Sequence, residues 1–134
     1  MTVLYSLKDR IKVQISDVTF HLAPLSVKQK RGLTNEMVAK ASDQGAMLDL
    51  FYDLVRTVLK KVEGLTNVQG EPWVLDIGED GKVTEDCMED ITNLPMLEKL
   101  YTVAGVLVSG VPEEGELTNP RTGEKIEGIL IKKN

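Results

Sequence analysis

Chemically reactive side chains are scarce in this chain. It holds one cysteine and one histidine among 134 residues, and aromatics make up only 4%. A single cysteine excludes an intrachain disulfide and fits a reducing compartment. Zinc-ligand pairs, glycine-rich phosphate loops and nucleophile elbows are all missing, so no familiar catalytic or metal-binding pattern is present. No run approaches the roughly 18 apolar residues of a membrane span. The opening MTVLYSLKDR lacks the basic stretch and apolar core of a secretory leader. The expectation is a soluble cytoplasmic protein. Basic residues are outnumbered, 16 against 21 acidic, for a net charge of −5. That balance argues against general nucleic-acid binding, which needs a dense cationic surface.

What is present is enough to fold. Apolar residues reach 42%, ordinary for a globular domain, and the length suits a single core built from aliphatic side chains and methionine. The stretch IKVQISDVTFHLAPLSVKQKRGL, residues 11–33, is the most readable. Ile11, Val13 and Ile15 alternate with polar residues, as do Val18, Phe20 and Leu22, which predicts two half-buried strands turning at Ser16-Asp17. Pro24 stops the sheet. Ser26 and Gln29 then stand at capping-box spacing and open a helix to about Ala41, interrupted by Gly32 and with a thin apolar stripe.

Residues 46–62 carry the strongest helical signal. Met47, Leu50, Phe51, Leu54, Val55, Val58, Leu59 and Val62 recur at three-four spacing, with Asp43 or Ser42 as cap and Gly64 as stop. The two helices should form an antiparallel pair joined near residues 42–45. LTNVQGEPWVLDIGEDGKV, residues 65–83, reads as loop with a short strand from Trp73 to Ile77. Thr84 caps a short acidic helix through Asn93, and Asn93 caps a last helix with Pro95 in its first turn and Gly110 and Pro112 at its end. The turn residues of TNPRTGEK, 118–125, flanked by Leu117 and by Ile126, Ile129 and Ile131, allow a hairpin. The acidic run before them and Lys132-Lys133 after them point to an exposed arm. The expected architecture is α+β, mainly helical: an N-terminal hairpin on three or four packed helices in residues 1–110, then a C-terminal arm or hairpin in 111–134.

Each chemical feature has a plain structural explanation beside it. DIGEDGKVTEDC, residues 76–87, partly mimics a calcium loop, with Asp76 and Asp80 at ligand positions and Gly81 at the sharp turn. Gly78 and Cys87 occupy positions that need ligands, so a solvated turn is the better reading. Asp76, Glu79, Asp80, Glu85, Asp86, Glu89 and Asp90 face only Lys82 in this segment. They read as a solvated block favouring the next helix's N-terminus, or as docking surface for a basic partner segment. Asp86, Glu89 and Asp90, with Trp73, are the candidate partner-binding residues. Lys28, Lys30 and Arg31 make a small basic cluster on a helix face. His21 reads as an exposed strand residue, and Cys87 as a helix core residue in surroundings too acidic for a reactive thiolate. No catalytic, cofactor or metal-ligating residue is nominated.

The phrase LAPL at residues 22–25, closing an early hairpin before a charged helix, resembles the tail assembly chaperones of long-tailed bacteriophages. VEGLTNVQGEPW (62–73) and DCMEDITNLPMLEKL (86–100) also look like segments of such proteins. The resemblance covers residues 11–105 and carries no catalytic motif. It implies a non-enzymatic protein of the bacterial host's cytoplasm that binds the tape-measure protein and delivers tail-tube subunits without staying in the virion. It involves no cofactor, and a homo-oligomer is compatible with it. Many members are also made as a longer frameshifted form. The competing expectation is a permanent virion component, such as a head–tail or tail-tube protein, which should contain more strand than the sequence displays.

Overall fold

A computed structural model describes residues 4–119 and 122–132; Lys133 and the tip of the last expected hairpin lie outside them. The element order is β1 (Ile11–Ile15), β2 (Val18–Leu22), α1 (Val27–Lys40), α2 (Gln44–Val58), β3 (Leu59–Glu63), α3 (Glu85–Ile91), α4 (Leu97–Ser109), β4 (Gly115–Thr118) and β5 (Lys125–Lys132). The strands form one antiparallel sheet in the order β3-β2-β1-β5-β4. Its inner face and the helices share one core, in which Phe20, Leu54, Met88, Leu100 and Ile131 are all buried.

The expected hairpin is present, with β1 and β2 paired from Ile11–Leu22 to Ile15–Val18. Ser26 caps α1 through the reciprocal bonds with Gln29, 3.2 Å and 2.9 Å, as the capping box requires. Asp43 caps α2 by accepting from the Ala46 N–H at 3.0 Å, and the Thr84 side chain does the same for α3 toward Cys87.

The mainly helical expectation is wrong. Of the described residues, helix takes up 39% and strand 24%, an α+β mixture. The end of the long helix and the C-terminal segment account for it. The long helix stops at Val58, and residues 59–63 become β3, an edge strand against β2. Leu59 and Val62 are three apart, which mimics helix period and conflicts with the two-residue period of a regular strand. A bulge resolves the conflict. His21 pairs with Lys61 but Leu22 with Leu59, so Lys60 is the extra residue and both apolar side chains turn inward.

Trp73 to Ile77 is no strand, since only single bridges, Thr66 to Pro72 and Ile77 to Val83, mark this loop. The C-terminal segment is the hairpin alternative, β4 paired with β5, and no extended arm. β5 lies beside β1 in the middle of the sheet and buries Ile129 and Ile131, while β4 buries Leu117. Asn93, finally, caps nothing ahead of it. Its side chain donates to the Glu89 carbonyl at the end of α3, and α4 starts at Leu97 with no side-chain cap.

Candidate functional site

α1 buries none of its residues. Its Leu33 and Met37 reach the core only partly, and Val38 is 75% exposed. This is the consequence of the thin stripe: too few apolar positions share a face for the helix to seat fully. The loose seating leaves a groove of about 780 Å³ between α1, α2, α4 and the start of β5. Met37, Met47, Leu48, Phe51, Tyr101 and Ile126 line it, and Leu48 is 52% exposed. Phe51 and Tyr101 stack across the floor with ring centroids 5.9 Å apart and planes 20° apart. Gly105 makes room for them, since a side chain there would begin 3.0 Å from the Phe51 ring edge.

The lining holds one carboxylate, Glu98, and no histidine or cysteine. Burial, then the neighbouring Tyr52 and Asp49, push the Tyr101 hydroxyl above its ordinary range, so it stays a neutral hydrogen-bonding group. Such a surface makes apolar contacts, and its methionines adapt to differently shaped partners. Sequence reasoning missed the groove because its residues come from four separate segments. The only local signal was the thin apolar stripe of α1, which gives too few positions to seat the helix fully.

The acidic candidates divide. Asp86 and Glu89 are exposed on α3. Asp90 is already engaged: its carboxylate accepts the Trp73 indole N–H at 2.9 Å, pinning the 65–83 loop to α3. The structure therefore brings Trp73 and Asp90 together as a structural clasp, with the indole partly buried against the core. Trp73 is the only tryptophan, so its fluorescence reports on the clasp. Replacing Asp90 with alanine should shift its emission to longer wavelength and cost about 1 kcal/mol, as for an exposed hydrogen bond to a charged group. An unchanged spectrum would show that the clasp does not hold in solution.

Cys87 is buried, and its sulfur accepts from the Asp76 N–H at 3.4 Å. In the partial calcium-loop motif, Asp80 accepts from the Lys82 N–H at 3.1 Å and lies 3.8 Å from the Arg56 guanidinium. Among the described residues, no group of three or more His, Cys, Asp or Glu side chains could hold a metal ion.

His21 is not the exposed residue its strand phase indicated. It is only 9% exposed, and Nε2 lies 3.2 Å from Glu63 Oε1, in ion-pair range but off line for a hydrogen bond. Burial pulls the imidazole below its ordinary value of 6.5; Glu63 raises it, and Lys61 and Lys12 lower it again. Folding thus favours the neutral ring, so the contribution is complete above pH 6.5 and fades as acid drives protonation toward the lower folded value. Between pH 7 and 5.5, stability should fall less steeply for His21→Gln than for the native chain; parallel curves would contradict this.

No family model, curated protein or solved structure matches the chain. Among the described residues, no helix is long and apolar enough to cross a membrane.

Proposed function

We propose that this protein is a non-enzymatic tail assembly chaperone of a long-tailed bacteriophage, acting in the cytoplasm of the bacterial host. It holds the tape-measure and tail-tube proteins in soluble form until assembly. The observation that supports this reading is the open, methionine-containing groove under α1. An amphipathic helix about 10 Å across lays its apolar stripe into grooves of this type. A long tape-measure helix offers many such stripes. The fit is adaptable because the groove is lined by Met37 and Met47 and α1 has no fully buried residue.

One observation favours the permanent-component reading instead: the five-stranded sheet contains more strand than the sequence displayed. Its edges are poor polymerisation surfaces, though. β3 carries Lys60, Lys61 and a bulge, while β4 is four residues long with its own register shift.

Co-expression with the tape-measure and tube proteins of the same phage, followed by pull-down and size-exclusion chromatography, tests the proposal. Soluble capture of either protein is the expected result. Failure to capture either protein, or recovery of this chain in finished virions, would overturn it.

A further inference from the structure

The outer face of the sheet carries a feature that the groove does not explain. Cross-strand register places four side chains in one row. Lys61 on β3 stands opposite His21 on β2, His21 opposite Lys12 on β1, and Lys12 opposite Lys132 on β5. At about 4.8 Å between strands the row is about 14 Å long. Three lysines and an imidazole are thus aligned in a chain of net charge −5.

Lys12 and Lys132 work against the sheet, because like charges directly opposite each other repel. Glu63 compensates one end only, lying 3.1 Å from Lys61 Nζ and 3.2 Å from His21 Nε2. Lys12 and Lys132 have no ion-pair partner among the described residues. His21 lies buried between Lys61 and Lys12 with its Nε2 turned to Glu63, so the two outward-facing charges left without a partner are those of Lys12 and Lys132. A local rule broken without local compensation marks a surface kept for something other than stability.

The matching charge lies across the same molecule. α3 sends Cys87, Met88 and Ile91 into the shared core and leaves Glu85, Asp86 and Glu89 exposed. Those three carboxylates also lack ion-pair partners among the described residues. No ion pair joins the two patches within one chain among the described residues.

We propose that the row Lys61-His21-Lys12-Lys132 docks a second copy of this chain through the acidic face of its α3. The two surfaces differ, so the contact is heterologous: each copy offers its row to one neighbour and its helix to another, and association propagates as a ring or an open chain. Nucleic acid fits the row less well, since it lacks arginine forks for phosphate and aromatic rings for bases. This docking is independent of what the groove binds.

Sedimentation velocity on the full chain at about 0.15 M salt tests it. There the screening length of about 8 Å hides the net repulsion between copies but not charges in contact. The sedimentation coefficient should rise with concentration, and the rise should vanish near 1 M salt. Lys12→Glu with Lys132→Glu should weaken association at least tenfold, as should Asp86→Lys with Glu89→Lys. Mixed in equal amounts, the two variants should associate again, because each reversed patch then meets its opposite. Lys132→Glu alone, at an exposed site, should retain part of the loss if the double change disturbs folding. A wild-type chain that stays monomeric, or a mixture that does not recover, overturns the proposal. So does a labelled single-stranded oligonucleotide that binds the row of a monomeric chain, which would make it a nucleic-acid surface.

Discussion

Replacing Gly64 with alanine should destabilise the protein by about 3 kcal/mol, one of the largest losses available to a single exposed position. Gly64 ends β3 with φ at +94°, where an L side chain costs about 1–2 kcal/mol. An added Cβ would also sit 2.5 Å from the Asp17 carbonyl oxygen, in the turn between β1 and β2. That neighbour is backbone in a tight turn and cannot rotate aside as a side chain would. Relieving the overlap means shifting the edge strand from the hairpin, with a further cost of about 1–3 kcal/mol, similar to overpacking a core. Thermal unfolding should show the midpoint falling by roughly 10 °C for a domain of this size. A change within about 0.5 kcal/mol, the range of ordinary surface substitutions, would mean that β3 does not pass the turn this closely.

Under the proposed chaperone function, Val38→Glu with Leu48→Glu should reduce capture of the tape-measure protein at least about a hundredfold, equivalent to about 2.7 kcal/mol. The two side chains are 75% and 52% exposed on the rim of the groove. In the free protein their replacements remain in water, so folding stability should stay within about 0.5 kcal/mol of the parent. In the complex each new carboxylate would be buried against apolar surface without a partner, at a cost of about 1–3 kcal/mol. Calorimetry or quantitative pull-down of the co-expressed pair would measure the loss, with thermal unfolding of the free variant as control. Undiminished capture by a folded variant would remove the groove from the binding reaction and leave the chaperone reading without its main support.

Folding and binding thus place opposite demands on the apolar residues. Those at Phe20, Leu54 and Met88 are fully enclosed and hold the domain together. Those at Val38 and Leu48 remain in water because α1 sits over α2 and α4 without sealing the space between them. Apolar surface left in the open at one end of the helical layer is a standing cost in solubility, which is the usual mark of a surface that meets another molecule.

The sequence by itself determined the elements whose signals are local. Alternation specified the β1–β2 hairpin, because a two-residue period needs nothing beyond the strand to be read. The Ser26–Gln29 pair, Asp43 and Thr84 set three helix starts, because a cap is satisfied within one turn of chain. Cys87 was legible as a core residue for the same reason: its place on α3 follows from the helix period. Tertiary structure decided the rest. Leu59 and Val62 keep helical spacing yet lie in a strand, since pairing with β2 through a bulge buries both, and no local pattern encodes that pairing. β5 became central because Ile129 and Ile131 complete the sheet beside β1, more than a hundred residues earlier in the chain. The groove and the lysine row are likewise products of register and packing. Each gathers residues from distant segments, whose proximity depends on which strands and helices become neighbours, and that choice rests on the burial of the whole core.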